Sequence, residues 1–380
     1  MFSPDFIALL TEAVGEEKAR IVLDALDRDP SVSIRLNPLK IKDCPFSGAR
    51  PVPWSPYGWL LAERPSFTMD PLFHAGCYYV QDSSAMFVGE LFRRTAGPDV
   101  RMVLDLCAAP GGKTTDLAAS LRELSDEPFT LIANEVMRGR CKVLRQNVSV
   151  WGDPWVGVLS RDPAAFPGHP VFDAIVADVP CSGEGMFRKD AKAVADWSVQ
   201  TVDFCAARQR RILADVWPSL KEGGLLIYST CTFNRRENDE NVAWIAEELG
   251  AEILDPGDIA GVLRTEHGYA LLPGLVPGEG QYAAALRKTA QASRPYKGDF
   301  VQEYRVDFPV VTLPGPHFEV DRPTALRYLH GDALLLPEDA PKGMLILTYQ
   351  GHPLGPAKNL GIRCNNLYPR ERRIKMDIKL

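Results

Sequence analysis

The feature that most constrains the fold is an alternation of short apolar runs and amphipathic stretches through the central half of the chain. Apolar runs separated by stretches with helical spacing are typical of a parallel sheet with helices on both faces. The sequence therefore predicts an α/β fold with a doubly wound, Rossmann-like sheet. The predicted strands are 101–107, 129–135, 156–162, 173–179, 223–230 and 281–288, and the predicted helices are 113–121, 137–148, 203–220 and 237–249.

Both ends of the chain differ from this centre. A helical stretch at 3–27 and a strand at 33–38 predict a small α+β region over residues 1–72, followed by the central domain at 73–290. A linker-like composition at 291–295 precedes a small, separate β-rich region at 291–380, with one strand at 344–349. Its last twenty residues carry six Lys or Arg against two acids, which gives a local basic patch.

Composition limits the classes of partner. The 380 residues carry a formal net charge of −6, so a nucleic-acid surface must be a local patch. No apolar run approaches the roughly 18 residues of a membrane span, and no signal peptide is recognisable, so we expect a cytoplasmic protein. The eight cysteines form no C-x-x-C pair and do not cluster with histidines, so we expect neither a metal site nor a disulfide framework.

A glycine turn follows the first central strand at 105–113. Gly112-Lys113-Thr114 fits the end of a P-loop, but the first glycine of that motif would fall at Cys107, and the dinucleotide spacing G-x-G-x-x-G is absent. Glu135, at the end of the next strand, is placed to hold ribose hydroxyls. S-adenosylmethionine has a ribose and a carboxylate but no phosphates, so the turn favours it over ATP or NAD. A plain tight turn and a nucleotide triphosphatase are the alternatives.

Two cysteines lie at the ends of predicted neighbouring strands, in the segments D-V-P-C-S-G at 178–183 and S-T-C-T at 229–232. Methylation of a pyrimidine at C5 needs a thiolate that attacks C6, an acid near N3 and a methyl donor. Either cysteine alone is more often a core residue. Together with Asp178 and the glycine turn, Cys181 and Cys231 predict this chemistry, and the residues alone leave open which thiol attacks.

The predicted positions share one edge of the sheet. The glycine turn, Glu135, Asp162, Asp178, Cys181 and Cys231 all fall at or just after strand ends, where ligands bind in doubly wound folds.

These motifs resemble those of the Sun/nucleolar-protein family of RNA (cytosine-5)-methyltransferases, and most of all its bacterial branch of the ribosomal RNA small subunit methyltransferase F type. The strongest matches are 103–115, 178–190 and 228–234, with weaker ones at 33–37, 79–82, 278–280, 353–355 and 365–369. The resemblance implies a class I methyltransferase domain that uses S-adenosyl-L-methionine to make 5-methylcytosine in RNA, in particular 16S ribosomal RNA or the assembled 30S subunit. It also implies a C-terminal RNA-binding domain of the PUA type, and we expect a monomer.

The resemblance also implies individual roles. Cys231 would be the nucleophile that attacks C6, Cys181 would assist product release, and Asp178 would lie between cofactor and cytosine. Glu135 would hold the ribose and Asp162 the adenine. The other implied cofactor contacts are Cys107, Ala108, Ala109, Pro110, Gly111, Gly112, Lys113, Arg140, Asp178 and Pro180.

The chain departs from the family pattern at Gly274 and Pro356, where a histidine and a tryptophan are usual, and both departures bear on RNA contacts. Candidate phosphate contacts are the arginines at 208–211 and 235–236, the pair at 188–189 and the basic tail, with Tyr368 as a stacking or buried aromatic. A non-catalytic RNA-binding factor of ribosome assembly on the same fold is the alternative function.

Overall fold

Among the described residues, nine strands form the central sheet. The computed structural model describes residues 2–259, 261–291, 296–310 and 314–378. The predicted linker at 291–295 lies largely outside them. The strands are β5 Met102–Asp105, β6 Thr130–Asn134, β7 Val156–Leu159, β8 Phe172–Asp178, β9 Leu220–Thr230, β10 Ala251–Leu254, β11 Leu263–Arg264, β12 Tyr269–Leu271 and β13 Gln281–Lys288. Their order is β11-β12-β13-β9-β8-β5-β6-β7, with β10 paired to β13.

Helices cover both faces of this sheet. Along β5 and β8 successive side chains enter opposite cores, so Val103 packs with one face and Leu104 with the other. The helices are α4 Phe87–Thr95, α5 Gly112–Leu124, α6 Arg138–Trp151, α7 Ala191–Asp196, α8 Val199–Val216 and α9 Asp239–Glu248. The predicted doubly wound α/β fold is confirmed.

The central domain differs from expectation in several details, and its strands β10, β11 and β12 were not predicted. Strand β13 lies where predicted but runs antiparallel to β9, so the sheet is parallel only from β7 to β9. The helix predicted at 203–220 begins at Val199, where the Ser198 side chain accepts a hydrogen bond from the Thr201 amide, and it ends at Val216. Pro218 lacks the N–H that a continuing helix needs.

The N-terminal region forms helices and a four-stranded antiparallel sheet. Its elements are α1 Pro4–Val14, α2 Glu16–Leu26, β1 Ser33–Leu36, β2 Arg50–Pro51, β3 Gly58–Leu60, α3 Pro71–His74 and β4 Tyr78–Val80, and the sheet order is β2-β3-β1-β4. The stretch predicted as one helix at 3–27 is broken at Gly15, whose φ of +80° is a conformation that glycine adopts readily. This sheet extends past residue 72, and the domain boundary proposed there stays a prediction.

The C-terminal region shares its core with the N-terminal sheet. Ile34 and Tyr78 pack in one apolar cluster with Leu326, Tyr328 and Leu347. Its apolar faces are buried against residues more than 200 positions away, so the predicted C-terminal unit packs on the N-terminal region, and its boundary stays a prediction. The elements are α10 Phe300–Glu303, β14 His317–Glu319, α11 Arg322–His330, β15 Gly343–Tyr349, β16 His352–Asn359 and β17 Cys364–Asn366.

None of the helices among the described residues is long and apolar enough to cross a membrane.

Candidate active site

The carboxyl ends of the parallel strands bring the predicted positions together at one edge. In the strand order β7-β6-β5-β8-β9, the chain adds β6 and β7 on one side of β5, and then β8 and β9 on the other side. Ligands of doubly wound sheets bind at this switch in strand order, between β5 and β8. The glycine turn follows β5, Glu135 follows β6, and Asp178 ends β8. Strand β9 ends at Thr230, directly before Cys231.

The glycine turn connects β5 to the first turn of α5. Gly111 has a φ of +108°, a conformation that a side chain would strain, and its carbonyl accepts the amide of Thr115. The first amides of a helix have no acceptor within the helix, so those of Gly112 and Lys113 are available to an anionic group.

Two buried carboxylates at this edge accept few hydrogen bonds from the described residues. Oδ2 of Asp105 accepts from Thr114, whereas its Oδ1 has no partner, and burial raises the pKa of Asp105 to about 7. Oε1 of Glu135 accepts the amide of Met137, whereas its Oε2 accepts no well-aligned hydrogen bond and forms an ion pair with Arg140 at 3.1 Å. Sequence reasoning did not name Asp105 as a site residue, although an acid as the last residue of a strand before a glycine turn was a usable signal.

Arg140 lies above these acceptors on α6. Its guanidinium donates to the Ala109 carbonyl at 2.7 Å and forms an ion pair with Glu135 at 3.1 Å. Asp162 is exposed beyond β7 and accepts the amide of Ala164 through Oδ1. Pro180 contributes its carbonyl to a hydrogen bond from Gln209.

Asp178 accepts hydrogen bonds on both oxygens. Nζ of Lys113 donates to Oδ2 at 2.9 Å, while Ser229 and Gln281 donate to Oδ1 at 2.8 and 3.3 Å. Burial lowers the pKa of Lys113, but the charge and hydrogen bond of Asp178, together with Cys231 and Asp105, outweigh burial and raise this pKa above its ordinary value. The side chain of Lys113 is therefore an ammonium directed at Asp178, whereas its backbone remains part of the glycine turn.

The two cysteines lie next to each other just beyond the ends of the paired strands β8 and β9. Their sulfur atoms lie 3.0 Å apart, and both thiols are free and half-buried. The hydrogen bond with Cys231, together with burial, raises the pKa of the Cys181 thiol well above its ordinary value. A proton on Cys181 is thus placed to be shared with a thiolate on Cys231.

Buried carboxylates surround this pair. Glu184 and Glu237 follow the two cysteines in sequence and accept several hydrogen bonds from the loops around them. Neither was singled out from the sequence, because an acid in a polar loop is more often at the surface than buried.

The structure revises several candidate RNA contacts. Arg188 forms a buried ion pair with Glu279 at 2.7 Å, so its charge faces inward. Arg235 and Arg236 pair with Glu266 and Asp203, and Tyr368 is buried. Within 208–211, Gln209 is buried and Arg210 donates to Asn241, which leaves Arg208 and Arg211 on the surface.

The two positions that depart from the family pattern, Gly274 and Pro356, both contact neighbouring residues. Gly274 has a φ of +84° and lies close to Ile21 and Ala25 of α2, so a side chain there would be both strained and crowded. The Pro356 carbonyl accepts a hydrogen bond from the Tyr328 hydroxyl.

A Rossmann-like sheet with a glycine turn and acidic residues at the carboxyl ends of its parallel strands is typical of the methyltransferase fold. The crystal structure of a methyltransferase homologue from Pyrococcus horikoshii is 26% identical, with a TM-score of 0.62 over 75% of this chain and 99% of that one. NSun6 from Pyrococcus horikoshii, solved with SFG, has the same fold at 19% identity and a TM-score of 0.63, over 76% of this chain and 99% of that one.

Sequence comparison identifies the family. The family model described as 16S rRNA methyltransferase RsmB/F matches residues 96–287, the RsmF N-terminal domain matches 2–83, and the RsmF PUA domain matches 316–374. The chain belongs to the RsmB/F family of 16S rRNA methyltransferases.

Relatives named ribosomal RNA small subunit methyltransferase F match over different lengths. The protein of Cronobacter sakazakii is 39% identical over 68% of this chain, and the match spans 57% of that relative. The protein of Klebsiella pneumoniae is 31% identical over 89% of each chain. The matched part of this chain thus spans under two thirds of the first of these relatives.

Proposed function

We propose that this protein transfers a methyl group from S-adenosyl-L-methionine to C5 of a cytosine in RNA, with small-subunit ribosomal RNA as the substrate. The observation that carries the proposal is the pair of free thiols 3.0 Å apart, next to a carboxylate and a glycine turn. Membership of the RsmB/F family supports a ribosomal RNA substrate.

The residues around the glycine turn fit the cofactor. Their carboxylate oxygens and backbone amides are complementary to it, since the ammonium and ribose hydroxyls of the cofactor are donors and its carboxylate is an acceptor. Oδ1 of Asp105 would accept from the ammonium, Oε2 of Glu135 from the ribose, and the first amides of α5 would bind the carboxylate. When bound, this group supplies an electrophilic methyl on sulfonium.

Residues 107–113, Arg140, Asp162, Asp178 and Pro180 remain proposed contacts of the cofactor. Among them, Arg140 links the turn to Glu135, and Asp162 offers its second carboxylate oxygen.

Attack is assigned to Cys231. Its thiolate would add to C6 of the ring, and the electron density that this delivers to C5 makes C5 nucleophilic. The ammonium of Lys113 is held against Asp178 at the same edge of the sheet. Asp178 would lie at the N3 edge of the ring, and the Lys113 ammonium that donates to Asp178 would supply the positive charge that offsets the negative charge developing on the ring.

Release is assigned to Cys181. After the C5–methyl bond has formed, C5 loses its proton to a base and the bond between C6 and the sulfur of Cys231 breaks, which restores the aromatic ring. Cys181 lies 3.0 Å from the departing sulfur and retains a proton that can stabilise it.

Incubation with tritiated cofactor and 16S ribosomal RNA, free or in 30S subunits, tests the proposal. We expect label in 5-methylcytosine, which bisulfite sequencing then assigns to a position. RNA binding without methyl transfer on either substrate would refute the proposal and favour the non-catalytic assembly factor.

A further inference from the structure

Two buried carboxylates, Glu184 and Glu237, join the loops that carry the cysteines. Each belongs to one loop and accepts hydrogen bonds from the backbone of the other, so the two contacts are reciprocal. Both side chains are nearly inaccessible to solvent, and among the described residues no Lys or Arg forms an ion pair with either. Only hydrogen-bond donors stabilise their charged forms, and burial raises the pKa of Glu237 in spite of these donors.

Glu184 follows Cys181 by three residues and reaches the loop of Cys231. Its Oε2 accepts the backbone amides of Phe233 and Asn234, the latter at 3.2 Å. Its Oε1 accepts from the Asn234 side chain at 2.9 Å and from the Trp197 indole at 3.0 Å. All four partners are hydrogen-bond donors, so both oxygens of Glu184 act as acceptors.

Glu237 makes the opposite connection. It follows Cys231 by six residues, and its Oε2 accepts the backbone amide of Ser182, adjacent to Cys181, at 3.0 Å. The same oxygen accepts from Gln209 at 2.8 Å, and Oε1 accepts from Asn234 at 2.9 Å. Asn234 therefore connects the two carboxylates.

We propose that Glu184 and Glu237 are positioning residues for the two thiols, each fixing the cysteine loop to which it does not belong. Glu237 holds the backbone next to Cys181, so its loss should affect release. Glu184 holds the backbone just beyond Cys231, so its loss should affect attack. This inference rests on the roles proposed above for the two cysteines.

Glutamine is the substitution that tests the proposal, because it keeps the shape and replaces an acceptor with a donor. A glutamine at either position would face only donors and could not satisfy all of them, and a hydrogen bond to a charged group contributes enough for about a tenfold effect. Glu240→Gln is the matched control, since Glu240 lies near the start of α9 and is exposed.

Single-turnover reaction with 16S ribosomal RNA, followed on denaturing gels, separates formation of the protein–RNA adduct from its decay. We expect Glu237→Gln to slow decay about tenfold with formation unchanged, and Glu184→Gln to slow formation about tenfold without accumulation. Glu240→Gln should match the wild-type protein. Equal slowing of both steps in both variants, or no change in either, would overturn the proposal.

Thiol alkylation gives a second measurement that needs no RNA. Glu237 is among the charges that raise the pKa of Cys181, although the hydrogen bond with Cys231 is the largest cause. Glu237→Gln should therefore move the pH profile of Cys181 alkylation to lower pH. Loosened packing would also expose the thiol and lower its pKa, so Glu184→Gln, which removes a carboxylate that is not among the main causes of this shift, is the comparison and should leave the profile unchanged. Unchanged cofactor affinity would show that the variants are folded, and Glu184→Asp replaces Glu184→Gln if the latter fails this check.

The two measurements distinguish failure of this inference from failure of the proposed function. A wild-type protein that forms no adduct would refute the proposed function, while the alkylation profiles would still decide the positioning role. An alkylation profile of Glu237→Gln identical to that of Glu240→Gln would overturn the inference even if the wild-type protein methylates RNA.

Discussion

At the ends of β5 and β6, the buried carboxylates of Asp105 and Glu135 each accept one hydrogen bond, whereas the buried carboxylates beyond β8 and β9 each accept three or more. We call the first region, with Asp105, the turn at 107–113 and Glu135, the cofactor half. The second, with Asp178, Cys181, Cys231, Glu184 and Glu237, is the cysteine half. The two halves lie side by side on one edge of the same sheet.

The difference indicates two ways of preparing a site. An unpartnered buried acceptor costs free energy, of the order of 1–3 kcal/mol, that a ligand with the complementary donor can recover on binding. A fully hydrogen-bonded loop instead keeps reacting atoms at a fixed separation before any ligand arrives. We therefore expect substitutions in the cofactor half to change affinity, and those in the cysteine half to change the rates of chemical steps.

The largest effect is expected from Cys231→Ala. Without the attacking thiolate, methyl transfer should fall at least about a thousandfold, while cofactor affinity stays within about twofold because the glycine turn is untouched. Methylation kinetics and calorimetric titration with the cofactor measure the two quantities. Substantial methylation by this variant would refute the assignment of Cys231.

Cys181→Ala should block a later step. Attack would still occur, but release should slow by about a hundredfold, so a covalent protein–RNA complex accumulates as a shifted band on a denaturing gel. Cys231→Ala and the double variant should show no band, because nothing attacks the ring. Trapping in Cys231→Ala alone would exchange the two roles.

Asp105 should make cofactor affinity depend on pH. The pKa of Asp105 is about 7 in the free protein, so below pH 7 the ammonium of the cofactor must displace a proton from this carboxyl. Affinity should therefore fall by up to about tenfold per pH unit as the pH decreases below 7, and level off above it.

Asp105→Asn should bind about tenfold more weakly at pH 8 and lose this pH dependence. Titration calorimetry from pH 6 to pH 8 checks both. If the cofactor affinity of the variant falls with decreasing pH as steeply as that of the wild-type protein, a group other than Asp105 takes up the proton.

The smallest effect is expected from Arg140→Ala. Arg140 is half-exposed, so loss of its bonds to Ala109 and Glu135 should weaken cofactor binding by about two- to fivefold and leave adduct decay unchanged. Arg145→Ala is the control, since Arg145 lies on the same helix and pairs with Asp307 away from the turn. A changed rate of adduct decay in Arg140→Ala would show that the two halves are coupled.

The sequence predicted much of this arrangement because the signals were local. Strand β13 was predicted with its observed bounds, since a continuous apolar run marks a buried strand. The antiparallel direction of β13 was not predictable, because direction depends on the path of the chain after α9. Asp105 was not named because the predicted strand ran past it to residue 107, and the burial that raises its pKa is set by tertiary contacts.

The sequence by itself determined the alternation of strands and helices, the order of the motifs and the residue types at the edge of the sheet. These follow from periodicity and spacing, which are properties of short segments. Only the tertiary structure decided that two sulfurs separated by fifty residues lie 3.0 Å apart, that Glu184 and Glu237 are buried between their loops, and that both ends of the chain share one core. Contacts between distant segments set burial and charge interactions, and no local pattern encodes them.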